Sequence, residues 1–107
     1  MTKALRNEAD RITKILVQNY KPQRVILFGS AARGDDRPGS DLDILVVKNT
    51  NKQYYDRVFE AMKYVKTDKS LNMIIFTPEE FEKAQNEKRV FIKQVLKYGI
   101  NLYEQAI

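Results

Sequence analysis

The sequence predicts an α+β domain, and three observations carry that prediction. Short apolar runs of strand length stand at Val25–Phe28, Leu42–Val47 and Leu71–Phe76. Around them, apolar residues recur at helical spacing. A complete helix-start signal, Thr77-Pro78-Glu79-Glu80, follows the third run. With 107 residues and no internal repeat, low-complexity tract or long linker, the chain is expected to form one domain spanning 1–107.

Leu5, Ala9, Ile12, Leu16 and Val17 mark one face of a first helix, from about Lys3 to Asn19, which Pro22 stops. Strand Val25–Phe28 comes next. Ser30 to Arg33 is short and helix-prone, and Gly34 is expected to end it at positive φ. Asp35 to Gly39, which holds Pro38, reads as an exposed turn with Asp35, Asp36 and Arg37 solvated. Leu42–Val47 is a nearly continuous apolar run, which predicts a strand buried on both faces.

Beyond the polar loop Lys48–Asn51, Tyr55, Val58, Phe59, Met62 and Val65 define the inward face of a second helix. Polar residues from Lys66 to Ser70 lead into strand Leu71–Phe76. Thr77 is then the N-cap, Pro78 the first helical residue and Glu80 the closing member of a capping box. That helix should run to about Gln85, with a break over Asn86–Lys88. Val90–Tyr98 forms a last helix with Phe91, Ile92, Val95 and Leu96 inward and Gly99 as its C′ residue. Ile100–Tyr103 reads as a short edge strand.

Composition narrows the chemistry. There is no Cys, which removes disulfides and zinc–thiolate sites, and no His, which removes the commonest neutral-pH base and metal ligand. Any metal must be a hard, oxygen-ligated one, Mg²⁺ or Mn²⁺. No apolar run reaches membrane-span length and the first residues lack a signal-peptide core, so a cytoplasmic protein without a membrane partner is expected. The net charge of +5 is spread over dispersed lysines and arginines, which implies no more than weak steering of an anionic substrate. Without an aromatic stacking platform or a recognition helix, nucleic acid is not expected as a direct ligand.

The most informative stretch joins the first two strands. Strand side chains alternate faces, so Asp41 and Asp43 point the same way, about 6–7 Å apart along the chain. Two such carboxylates repel unless a cation lies between them, and Asp43 sits within an apolar run where an unpaired charge is costly. Just after the neighbouring strand, Gly29-Ser30 offers backbone N–H groups and a hydroxyl to a phosphate. Metal-binding acids beside a phosphate cradle describe a site for nucleotide chemistry.

Gly29-Ser30, Gly34 and Ser40-Asp41-Leu42-Asp43 together resemble the signature of the polymerase-β-like nucleotidyltransferase superfamily. The small size, Ala32-Arg33-Gly34 and the Arg37–Ser40 turn resemble its minimal branch. Ile74–Phe81 and Phe91–Tyr103 are similar to later parts of that branch, so the likeness covers nearly the whole chain. It implies a small mixed β-sheet flanked by helices, which binds a nucleoside triphosphate (ATP) with Mg²⁺ or Mn²⁺ and transfers the nucleotidyl group to a hydroxyl. It further implies a helical partner of the HEPN class, with this chain as the antitoxin and AMP added to the toxin.

The same resemblance gives the residues their expected roles. Asp41 and Asp43 would ligate the metal. Gly29 and Ser30 would receive the phosphates. Arg33 would reach phosphate or an acidic partner, or simply act as a helix-end cation. Ser40 would orient Asp41 or serve as a turn residue. Family members that run the full reaction carry a third carboxylate on the third strand; the matching position here is Asn72, a neutral amide that can ligate through oxygen but cannot accept a proton. Asp68 and Glu79 are the other acids that could fill that place. Asn72 leaves a rival reading open, a weakened enzyme that neutralises its partner by covering it, with Tyr54, Tyr64 and Tyr103 available to an interface.

Overall fold

A computed structural model of the protein describes residues 1–37 and 39–106. The elements in order are α1 (Lys3–Asn19), β1 (Arg24–Phe28), α2 (Gly29–Arg33), β2 (Leu42–Val47), α3 (Tyr54–Met62), β3 (Leu71–Phe76), α4 (Pro78–Asn86), α5 (Val90–Tyr98) and β4 (Ile100–Glu104). The expected α+β architecture is present, with a mixed sheet in the order β3-β2-β1-β4. β1 runs antiparallel to β2 and β4, while β2 and β3 are parallel and joined across α3. A parallel pair needs such a crossover, whereas the antiparallel β1–β2 pair takes the shorter connection through α2. Pro38, expected within the turn after α2, lies outside the described residues, as does Ile107.

The sheet separates two apolar clusters. Leu42, Ile44 and Val46 of β2 point into the one built with α1 and α3. Leu45 and Val47 point into the other, with Ile26, Phe81, Ala84, Ile92 and Val95. Both faces of β2 are therefore covered, as its continuous apolar sequence requires. Thr77 caps α4 with the full reciprocal pair of hydrogen bonds to Glu80. Gly34 ends α2 at φ 82.

Four expectations need correction. Tyr55 and Phe59 do not face inward but are 84% and 72% exposed. α3 instead buries Arg57 and Ala61, because the Arg57 guanidinium is tied to the Lys52 carbonyl (2.7 Å), the Ile75 carbonyl (3.3 Å) and the Glu80 carboxylate (2.6 Å). On α5 only Ile92 and Val95 are buried; Phe91 and Leu96 are exposed on either side of that stripe. Gly99 is extended (φ −68, ψ 155) rather than left-handed. It is glycine for space, since a Cβ there would lie 2.3 Å from the Val95 carbonyl oxygen and 2.8 Å from Ile26 Cγ2. Asp36 is not a solvated turn residue: its side chain is only 3% exposed and accepts a 3.1 Å hydrogen bond from the Thr2 backbone N–H. That N–H, the largest cause, holds the Asp36 carboxyl below its usual range. The contact fastens the connection between α2 and β2 to the start of α1. Of the three tyrosines considered for an interface, Tyr54 and Tyr64 are exposed, whereas Tyr103 packs against the core.

Candidate active site

The end of the sheet where β1 finishes and β2 and β3 begin gathers the acids and the glycine. Phe28 pairs with Asp43 across the antiparallel ladder, so the chain turns into α2 beside that carboxylate. Asp43 also pairs with Asn72 across the parallel ladder. Parity then decides the face. Asp43 shares a face of β2 with Leu45 and Val47, and Asn72 shares a face of β3 with Phe76, so both lie on the side that carries α4 and α5.

The Asn72 amide ties the acids together. Its nitrogen donates to Asp43 Oδ1 at 2.9 Å and to Asp41 Oδ2 at 3.2 Å. Two half-buried carboxylates thus converge on one side-chain donor, the arrangement their mutual repulsion demands. On the opposite side Asp43 lies against Gly29, which stands at φ 76. A Cβ at Gly29 would fall 2.1 Å from Asp43 Oδ2, so the carboxylate occupies the volume of the missing side chain. Glycine is required here both for its conformation and for this approach.

α2 is a single short turn following extended Phe28, seated by the buried Ala31. Ser30 is half-buried at its start. The Arg33 side chain is exposed and donates from Nε to Asp35 Oδ2 at 3.1 Å. Ser40 stands one residue before Asp41, but its hydroxyl accepts from the Arg37 backbone N–H at 2.7 Å while its own N–H donates to the Arg37 carbonyl. Its side chain closes the turn that delivers Asp41. Gly29, Asp41, Asp43 and Asn72 are therefore brought together, Ser30 and Arg33 flank them, and Ser40 holds the loop behind.

Among the described residues, no three Asp, Glu, His or Cys side chains gather as a metal-binding group, so neither Asp68 nor Glu79 completes a carboxylate triad. The donors at hand are two carboxylates and an amide. Rotating that amide by half a turn about its terminal bond would exchange its N–H donor for Oδ1. The resulting all-oxygen set of Asp41, Asp43 and Asn72 would suit a hard divalent cation.

One feature beside the acids escaped the sequence reading. Phe91, Gln94 and Tyr98 of α5 line a cleft of about 220 Å³ together with Phe28, Gly29 and Arg33. Their spacing of three and then four residues puts them on one helix face, a signal hidden by their adjacency to the buried Ile92 and Val95.

The chain is similar to proteins of a known family and fold. The family model described as polymerase beta, nucleotidyltransferase matches residues 10–107. "Putative protein adenylyltransferase MJ0604" of Methanocaldococcus jannaschii is 36% identical over 81 residues, covering 76% of this chain and 78% of that protein. "Putative protein adenylyltransferase MJ1379" of the same organism is 30% identical over 78 residues, covering 72% and 78%. Among solved structures, a putative nucleotidyltransferase from Sulfolobus solfataricus superposes with a TM-score of 0.65 at 22% identity, over 92% of this chain and 79% of that one. A toxin-antitoxin structure with AMP-PNP gives 0.61 at 24% identity, over 92% and 74%. The MntA-HepT toxin-antitoxin gives 0.56 at 20%, over 94% and 73%.

Proposed function

As this chain belongs to the polymerase beta nucleotidyltransferase family, we propose that it transfers AMP from ATP, with Mg²⁺ or Mn²⁺, to a hydroxyl of a helical HEPN-type partner and so acts as an antitoxin. The single observation that carries the reading is the seating of Asp43 between Gly29 and Asn72, with Asp41 converging on the same amide. The names of the M. jannaschii relatives support adenylyl transfer to protein. The toxin-antitoxin neighbours, one with AMP-PNP, support the partner and the nucleotide.

In this reading Asp41 and Asp43 hold the cation, with Asn72 Oδ1 as a neutral third donor. When bound, that ion offsets the charge on the α-phosphate and on the departing pyrophosphate. Gly29 keeps the backbone close enough for the phosphates to meet the N–H groups at the start of α2, and Ser30 adds its hydroxyl. The acceptor oxygen bonds to the α-phosphorus, the bond from that phosphorus to pyrophosphate breaks, and the acceptor proton must leave. Asn72 cannot take it, so it passes to solvent, to a substrate phosphate or to a carboxylate of the partner.

The test is incubation of the protein and its native partner with α-labelled ATP and Mg²⁺. Label should appear on the partner and vanish with Asp43→Ala. Label that persists undiminished in that variant would refute the assignment. The hydrogen bonds from Asn72 to both acids favour one other reading, a binding antitoxin whose site no longer turns over. Neutralisation of the partner that survives Asp41→Ala with Asp43→Ala would select it.

A further inference from the structure

We infer that the partner's acceptor segment docks on the open edge of β3, as an added strand that brings its hydroxyl to Asn72, a proposal that rests on the nucleotidyl-transfer reading above. β3 is an edge strand, with β2 on one side only. The direction of its main-chain groups is fixed at both ends. The Ser70 and Phe76 carbonyls accept from the N–H groups of Leu42 and Lys48, at either end of β2, so the even-numbered residues turn toward β2. Leu71, Met73 and Ile75 therefore turn their main-chain groups outward, and the Ile75 carbonyl meets the Arg57 guanidinium there at 3.3 Å. α3 thus closes the far half of the edge. Among the described residues, nothing pairs with the outward N–H and C=O groups of Leu71 and Met73. Both side chains pack toward the core, so what these residues offer at the edge is main chain.

The two edges of the sheet are finished differently. β4 carries a register shift opposite Val25 and Ile26, an irregularity that blunts an edge, and it ends on the charged Glu104. β3 pairs with β2 without a shift from Leu71 to Phe76, and its sequence Leu-Asn-Met-Ile-Ile-Phe holds no charge, proline or glycine. A regular, uncharged edge without such guards is a template for another strand.

The open half is also the half that reaches the acids. Asn72 lies between Leu71 and Met73, is exposed and donates to both carboxylates. Residues opposite one another on neighbouring strands share a face, so a residue added opposite Asn72 points its side chain to the face that carries Asp43. Phosphoryl transfer places the attacking and leaving oxygens roughly in line. Gly29-Ser30, proposed to receive the departing phosphates, lies on the β1 side of Asp43. The attacking hydroxyl then enters from the β3 side, which is the side of the open edge. A second copy of this chain pairing through β3 would bring no hydroxyl, since Leu71–Phe76 contains none. The partner's extended segment is the occupant that supplies one.

The experiment combines amide hydrogen exchange with transfer of label from α-labelled ATP to the native partner. In the protein alone the Leu71 and Met73 amides should exchange fast, and the partner should slow both at least roughly tenfold. Leu71→Pro removes one outward N–H at the first residue of a strand, where proline is tolerated. It should raise the KM for the partner roughly tenfold and hold ATP affinity within about twofold. Leu71→Ala, which shortens the same side chain and keeps the N–H, should leave that KM within about twofold of the wild type. Circular dichroism checks the fold of each variant, and the exchange measurement decides the proposal on the unaltered protein should the proline variant not fold. Amides that exchange as fast with the partner as without it overturn the docking. So does a proline variant with the same KM as the alanine one. In both cases transfer by the wild type leaves the nucleotidyl-transfer reading standing. Slowing that sets in for the protein alone as its concentration rises assigns the edge to a second copy and also overturns the docking. A wild-type protein that transfers no label overturns the underlying reading, and the docking with it.

Discussion

Replacing Asn72 with Asp reverses the electrostatics of the site without altering its shape, and the consequences have opposite signs with and without a divalent cation. In the wild type the Asn72 nitrogen donates at 2.9 and 3.2 Å to two carboxylates. Asn72→Asp deletes both bonds and sets a third negative charge among them. Like charges about 4 Å apart repel by about 1 kcal/mol in bulk water and about 4 kcal/mol at an effective dielectric of 20. Asn72 is exposed and the aspartates are half-buried, so values near the lower end apply. With the lost hydrogen bonds, the cation-free protein should be destabilised by about 3 kcal/mol, or roughly 13 °C in melting temperature for a domain of this size.

Magnesium should invert the result. The added charge attracts the ion through the same Coulomb term, and even about 1.4 kcal/mol of it raises affinity tenfold. The assay is a pair of thermal melts, in EDTA and in Mg²⁺, with a calorimetric Mg²⁺ titration. Asn72→Ala serves as the control, since it removes the hydrogen bonds and adds no charge. It should melt about 1 kcal/mol lower in EDTA and show no tighter Mg²⁺ binding. An Asn72→Asp protein that melts like the wild type in EDTA and binds Mg²⁺ no better would refute the placement of this side chain between the acids.

Three further outcomes follow from other parts of the molecule. Gly29→Ala should abolish nucleotidyl transfer and cost about 1–2 kcal/mol of stability, because its Cβ displaces Asp43 Oδ2 from 2.1 Å away and its φ of 76 is unfavourable for alanine; retained transfer in the folded variant counts against the approach. Arg57→Ala should destabilise by about 3 kcal/mol and Glu80→Ala by about 1–2 kcal/mol, since the buried arginine serves three acceptors while Glu80 is half exposed; urea denaturation giving the reverse order would contradict the anchoring of α3. The Glu8 carboxyl is lowered from 4.5 to about 2, first by its hydrogen bond from Arg11 and then by that from Thr67. The unfolded chain then holds more protons between these values, so this contribution is complete above pH 4.5 and fades as pH falls toward 2. Solvent screening reduces it to about 1 kcal/mol, and Glu8→Gln should flatten the acid limb of a stability–pH curve by that amount.

What the sequence made legible is what depends on local pattern. Alternation along a strand placed Asp41 and Asp43 on one face, and the acids do converge. Thr77, Pro78 and Glu80 announced the start of α4 because a cap is settled within four residues. What it obscured depends on neighbours distant in the chain. On α3 Val58 and Met62 pack against the core as their spacing suggests, but Tyr55 and Phe59 face outward, and Glu80 and the carbonyls of Lys52 and Ile75 hold the Arg57 side chain inward beside Ala61. A charged residue at a buried position is invisible to hydrophobic periodicity. Gly99 carries the composition of a helix end, but its glycine answers to space, to the Val95 carbonyl of α5 first and then to Ile26 on another element. Asp36 looked like turn chemistry and is instead held by the start of α1.

These two kinds of residue also differ in how far each can change. The connection Gly29–Asp41 binds β1 to β2, so the glycine and the two acids reach the same corner through one antiparallel register, and Asp43 fills the space that Gly29 leaves. Neither partner of that contact can vary alone. Asn72 reaches the corner by a different route, through the crossover at α3 and the parallel register of an edge strand. Its side chain is exposed, and its hydrogen bonds within the site are to the acids themselves. A carboxylate there can therefore be exchanged for an amide with little strain on the core, while the seat proposed for the phosphates stays intact. The proposed chemistry divides along the same line: the metal and phosphate seat belongs to the part that cannot vary alone, and the strand position that holds a neutral amide here, unable to accept a proton, belongs to the part that can.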